Sequence, residues 1–142
     1  MRKIKSLLFG MIGVGVLCAT LNVSAQTDVN AFWKNFKTAV VKGDKLTVAS
    51  MTSFPLELPF GHKSVKTKAD FIKRYDKIMN MEANAKRCFQ VQNIKKDENT
   101  TRYYIDCTFK GEPETSDNRP IVYYFTKTKT GWKFSGLDNI NE

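Results

Sequence analysis

From Arg119 to Leu137 the chain reads RPIVYYFTKTKTGWKFSGL, and this stretch leaves little room for anything but a β-hairpin. Ile121 to Thr126 is dense in β-branched and aromatic side chains, which suit a pleated, half-buried surface. Pro120 stands at the first position of the strand, where no ladder donor is missed. Thr128-Lys129-Thr130-Gly131 reads as a four-residue loop with Gly131 in the left-handed position. That loop sets Phe125 opposite Phe134 and Tyr123 opposite Gly136. Ile121, Tyr123, Phe125, Trp132 and Phe134 then share one face. Val122, Tyr124, Thr126, Lys133 and Ser135 share the other, more polar one. A sheet with one apolar face requires a cover, and the upstream chain supplies it.

Three helices are predicted there. Asp28 caps the first, whose Val29, Phe32, Trp33, Phe36 and Val40 form one apolar stripe, with Lys42-Gly43 as its stop. Asp44 caps a shorter helix through Leu46, Val48 and Ala49, which ends before Phe54-Pro55. Ser53 to Phe60 reads as an extended edge segment, because Pro55 and Pro59 cannot serve a central strand. Thr67-Lys68-Ala69-Asp70 resembles a capping box and opens the third helix, with Phe71, Ile72, Tyr75, Ile78 and Met79 on one side. Lys68, Lys73, Arg74 and Lys77 lie on the other side, and with Lys63 and Lys66 they make the densest basic region. Nucleic-acid binding would require exposed aromatic residues among these cations, and Phe71 and Tyr75 sit on the apolar side. A solvated helix face is the reading, with no nucleic acid as partner.

Cys88 to Ile94 and Thr101 to Lys110 read as a further pair of strands about the polar turn Lys96-Asp97-Glu98-Asn99. A four-residue loop pairs Cys88 with Cys107 but places Phe89 and Val91 on the face opposite Tyr103, Ile105 and Phe109. Shifting the register by one residue aligns the apolar faces and turns Cys88 away. A disulfide is favoured by an oxidising compartment and disfavoured by this register, so it stays open. Two Cys and the distant His62 lack zinc-ligand spacing, and no metal is expected. Gly111 to Arg119, with Glu112, Glu114 and Asp117, reads as a surface connection.

The N-terminus has the three parts of an export signal: basic Arg2, Lys3 and Lys5, an apolar run from Leu7 to Leu21, and Val23-Ser24-Ala25 as a cleavage site. Cleavage between Ala25 and Gln26 is expected, followed by one domain over residues 26–142, without a membrane span and placed in the periplasm or outside the cell. A lipoprotein anchored through Cys18 is disfavoured by the bulky Leu17 before it. Removing 25 residues from 142 leaves 117, enough for one core. The net charge falls from +9 to +6, because the leader takes three cations and no acid with it. Excess positive charge outside the cytoplasm attracts anionic lipid heads, cell-wall polymers or acidic ligands, and otherwise serves solubility.

The order is then long helix, short helix, edge segment, third helix and a run of antiparallel strands. With the Gly43-Asp44 step, the Phe54-Pro55 step and the closing Gly131-Trp132-Lys133-Phe134, it resembles the small secreted bacterial members of the nuclear transport factor 2-like superfamily. The resemblance covers nearly all of residues 26–142 and rests on hydrophobic and turn patterns. It implies an α+β fold in which a cone-shaped, curved antiparallel sheet wraps around three N-terminal helices, often in a homodimer paired through the sheets. A cystatin-like domain, with one helix on a sheet, is the nearest rival, and three predicted helices count against it.

Fold does not fix function. Enzymes of that superfamily place an Asp or His and one or more Tyr inside the cone, and no motif here carries such a residue across. His62 stands in a Gly61-His62-Lys63 loop and reads as exposed. Asp106 shares a strand face with Tyr104 and Thr108. If that face lined a cavity, Asp106 and Tyr104 would make an acid/base pair for a cofactor-free isomerase, dehydratase or hydrolase; against solvent they are surface residues. Phe36, Tyr75, Tyr103, Tyr123, Phe125 and Trp132 read first as core, and as a ligand lining if the cone is hollow. No cofactor is called for. The reading is a non-catalytic exported domain that binds an apolar or anionic small molecule or an envelope component, or a protein partner through its sheet.

Overall fold

The structure, a computed structural model, describes residues 28–59 and 61–141. The expected export leader with its Ala25–Gln26 cleavage point, Cys18 and Phe60 lie outside them. Helix α1 (Val29–Lys42) starts where the Asp28 carboxylate accepts the Asn30 N–H at 2.9 Å, and stops at Gly43 with φ 70°. That left-handed residue lets the Gly43 and Asp44 N–H groups reach the Val40 and Ala39 carbonyls. Asp44 caps α2 (Lys45–Ser50) through the N–H and hydroxyl of Thr47, at 3.1 and 2.7 Å. Thr67 caps α3 (Lys68–Met79) by accepting the Asp70 N–H. All three caps follow the sequence reading.

The strands are β1 (Thr52–Glu57), β2 (Lys95–Lys96), β3 (Tyr103–Cys107), β4 (Ile121–Thr128) and β5 (Gly131–Asn139), in the sheet order β1-β5-β4-β3-β2. The architecture is α+β, but the sheet is mixed rather than purely antiparallel: β1 runs parallel to β5. No hairpin turn links these two strands, so nothing forces them into opposite directions. Two contacts dock the α2–β1 corner instead. The Phe134 N–H donates to the Met51 carbonyl and Lys133 Nζ to the Ser50 carbonyl, each at 2.9 Å. Strand β1 is an edge, as Pro55 requires, with a cis Phe54–Pro55 bond. Val65 exchanges two 2.9 Å hydrogen bonds with Leu56 on its outer side.

Phe125 stands opposite Phe134 as the hairpin predicts, and the turn tightens to Lys129 and Thr130, with Thr128 and Gly131 as the closing pair. Beyond Phe125 the register shifts by one residue. Tyr124 pairs with Gly136, and Tyr123 with Leu137 rather than Gly136. The shift exchanges a glycine for a leucine on the core side, and Leu137 is buried. Ile121, Tyr123, Phe125 and Phe134 all face the core, whereas Trp132 is half-buried at its rim, its ring edge-on to Tyr103 at 5.2 Å.

The larger correction concerns Cys88 to Ile94, which is not a strand. Ala85–Val91 forms a fourth helix, α4, capped by Asn84 through the Arg87 N–H at 3.1 Å. Ala85, Cys88 and Phe89 are buried and follow helical spacing, while Val91 is exposed. The apparent alternation of Phe89 and Val91 is therefore accidental. It also removes the conflict over the cysteines: a helical Cys88 needs no cross-strand register to meet Cys107. The two are bridged, with both residues fully buried, and the bond ties α4 to β3 across 19 residues of sequence.

At the other side of the core, the Tyr123 hydroxyl donates to the Met79 carbonyl at 2.6 Å. Met79 ends α3, so its carbonyl has no partner within the helix. A buried strand residue thus serves as the helix's C-terminal cap and fixes α3 to the sheet.

Reducing the Cys88–Cys107 bridge, or replacing both residues by Ser, is expected to lower stability by about 2–4 kcal/mol. Chemical denaturation checks the loss. A non-reduced proteolytic digest should yield the cross-linked peptide pair, and two alkylatable thiols at Cys88 and Cys107 would contradict the bridge.

Candidate functional site

The amphipathic pattern of α3 buries Phe71, Tyr75, Ile78 and Met79 and leaves its cations outside. Arg74 and Lys77, one turn apart, border a cleft of about 560 Å³ with His62, Asp76, Asn80 and Lys110. Three separate segments converge there. His62 follows the Gly61 turn, with Gly61 at φ 63° and the His62 N–H on the Pro59 carbonyl at 3.2 Å. Lys110 follows β3 and is anchored by its own N–H on the Glu82 carbonyl at 2.7 Å. The Arg74 guanidinium is oriented by Asp70 one turn back, at 3.0 Å. Three permanent cations against two carboxylates, Asp76 and the Asp70 that pairs with Arg74, leave the cleft a net positive charge, and half-buried Met81 gives it a short apolar wall. The arrangement can hold an anionic group against a short apolar surface.

The aromatic positions expected to line a hollow pack on one another. Phe36, Tyr123 and Phe125 have no exposed surface, and Phe36 meets Phe125 and Phe134 at 5.2 and 5.6 Å between ring centres. Tyr75 is buried beside Phe71 and borders a small recess of about 160 Å³ under the α1–α2 corner. Tyr103 and Trp132 pair at the core's rim. The structure does not bring these six residues together around one opening.

Asp106 and Tyr104 lie on the outer face of the sheet, away from the helices. Lys95, opposite Tyr104 in the register, reaches diagonally to both Asp106 oxygens at 2.8–2.9 Å. Asp106 is thus held by a lysine on the outer face. Nearby, Asp97 gathers the Asn99 N–H, the Thr100 hydroxyl and the Arg102 guanidinium, and its bond from Thr100 above all holds its carboxyl below the usual range. Arg102 lies 4.3 Å over the Tyr124 ring. The Gly111 to Arg119 connection lies at the surface as read, with none of its residues buried, and an Arg119–Glu114 ion pair at 3.7 Å spans it. Among the described residues no group of three or more His, Cys, Asp or Glu is gathered to hold a metal ion. Among them, too, no helix is long and apolar enough to cross a membrane.

The basic face of α3 was visible in the sequence. Its convergence with Lys110 was not, because the two meet only through the fold, 33 residues apart. No protein-family model matches the chain, and no curated protein matches it. Among solved structures, a domain of unknown function with a cystatin-like fold from Nostoc punctiforme PCC 73102 is similar, at a TM-score of 0.41 and 17% identity over 84% of this chain and 78% of that one. That similarity is too slight to transfer anything from one protein to the other.

Two buried phenols bear on pH. Burial pushes Tyr75 up from 10.0 to about 12, with Asp76 and Asp44 adding to the shift, and burial pushes Tyr123 higher still. Both are protonated in the native state at pH values where an unfolded tyrosine already ionises. Their contribution is therefore full below about pH 10 and is lost as pH rises toward 12 and beyond. Denaturation at about pH 9 and about pH 11 should show a falling midpoint, and Tyr75→Phe should make that fall shallower. Tyr123→Phe should in addition cost about 1–3 kcal/mol at neutral pH, because it strands the Met79 carbonyl. An unchanged pH dependence in both variants would contradict this assignment.

Proposed function

We propose that this is an exported, non-catalytic domain of the nuclear transport factor 2-like or cystatin-like kind that binds an anionic envelope component in the cleft between α3 and Lys110. The observation that carries the reading is the convergence of Arg74, Lys77 and Lys110, from two distant parts of the chain, on one opening of about 560 Å³. A ligand with an anionic group and a short apolar portion matches cations beside the half-buried Met81. Export is supported by the tripartite leader pattern and is compatible with the Cys88–Cys107 bridge, since disulfides persist in oxidising compartments. The aromatic core is packed upon itself, so the binding surface in this reading is the exterior cleft rather than the interior of a cone.

Calorimetry of the purified protein with phosphatidylglycerol vesicles, soluble anionic cell-wall fragments and neutral phosphatidylcholine vesicles tests the reading. Binding to at least one anionic member is expected, weakening as salt is added. Lys77→Glu with Lys110→Glu should weaken it by about ten-fold or more, which corresponds to about 1.4 kcal/mol, with no loss of fold. Absence of binding to every anionic probe at low salt, or binding unaffected by the double variant, would overturn the proposal.

A further inference from the structure

The outer face of the sheet carries a second opening, apart from the positive α3 cleft. A groove of about 290 Å³ is bordered by Tyr104, Val122, Tyr124 and Ile140 together with Asp97 and Asp106. Arg119 borders it too, and Asp106, Arg119 and Ile140 also border an adjoining space of about 510 Å³ toward Asp117 and Asn118. Tyr104 and Tyr124 are direct register partners on neighbouring strands and leave the sheet on its outer face. Arg102, which does not border the groove, covers one side of the Tyr124 ring at 4.3 Å. Ile140 is 61% exposed and extends the apolar surface at one end.

The three charged residues that border this groove each have a partner: Asp106 is held by Lys95, Asp97 by Arg102, and Arg119 by Glu114. Asp138, opposite Val122 in the register, adds one carboxylate beyond these pairs, so the groove has nothing with which to attract an anion. It nevertheless presents fixed carboxylate acceptors and guanidinium donors beside aromatic surface. The Tyr124 hydroxyl, like any phenol, is a donor at neutral pH. A purely apolar ligand would strand these polar groups, and an anionic one would find no excess of opposite charge.

We propose that this groove binds a neutral carbohydrate. A sugar ring offers an apolar C–H face that lies against tyrosine, and a rim of hydroxyls that both donate and accept. Asp97, Asp106 and Arg119 supply the complementary donors and acceptors beside Tyr104 and the side of Tyr124 that Arg102 does not cover. The site is separate from the α3 cleft, and the two are told apart by salt: hydrogen bonds and ring contacts to a neutral sugar do not weaken as ions are added.

The test uses the full protein with cellotetraose, maltotetraose and tetra-N-acetylchitotetraose, followed by amide chemical shifts and calorimetry. At least one of these probes should shift the amides of Tyr104, Val122 and Tyr124, with an affinity indifferent to salt. Tyr124→Ala should weaken that binding about ten-fold or more, and Asp106→Asn should weaken it measurably while thermal stability is retained. Lys77→Glu with Lys110→Glu should leave it unchanged, so that failure of one site does not imply failure of the other. The proposal is overturned if none of the three sugars shifts these amides at millimolar concentration, if Tyr124→Ala binds as the parent does, or if sedimentation shows the face closed by a second copy of the chain.

Discussion

Phe36 is the point at which the two layers become one body. Its ring lies within 5.2–5.9 Å, centre to centre, of Phe32, Phe89, Phe125 and Phe134, which come from α1, α4, β4 and β5. Aromatic pairs gain from edge-to-face and offset geometry beyond the area they bury, so a ring with four such neighbours orders all of them at once. The covalent bridge and the Tyr123–Met79 hydrogen bond act around this centre. One pins α4 to β3, the other pins α3 to β4, and both connect a helix to a strand rather than like to like.

This filled interior decides where function can lie. A hollow cone would place a ligand against Phe36, Tyr123 and Phe125, but those rings are occupied with one another. The two readings given above therefore use the outside: the positive cleft along α3 and the groove on the far face of the sheet. The two differ in electrostatic character, one with an excess of cations and the other with its bordering charges paired in place. That difference is what separates an anionic from a neutral ligand in the readings given above.

Much of the fold was legible because local chemistry and tertiary placement agree. Asp28, Gly43, Asp44 and Thr67 mark helix ends by capping their own backbone, which needs no partner elsewhere in the chain. Phe125 against Phe134 follows from the turn alone. What escaped was decided by distant contacts. Residues 85–91 satisfy both an alternating and a helical pattern, and the choice falls to Trp33 and Phe36, whose rings lie 5.4 and 5.9 Å from Phe89. Asn84, with Ala85, Cys88 and Phe89 at helical spacing, was the overlooked local signal. The parallel pairing of β1 with β5 and the one-residue shift that turns Leu137 inward likewise have no local signature. The candidate sites were legible in part only, as a basic helix face and as Asp106 beside Tyr104; the residues that complete them arrive from Lys110, Lys95 and Arg119.

The central claim, that the rings of α1 fill the space over the sheet, is tested most directly by nuclear Overhauser contacts between selectively labelled phenylalanine rings. The structure calls for contacts from Phe36 to both Phe125 and Phe134, at centre distances of 5.2 and 5.6 Å, and for Phe36 to be unreachable by a soluble paramagnetic probe. Absence of those contacts, with relaxation of the Phe36 ring by the probe, would mean that the interior is open and would contradict the account.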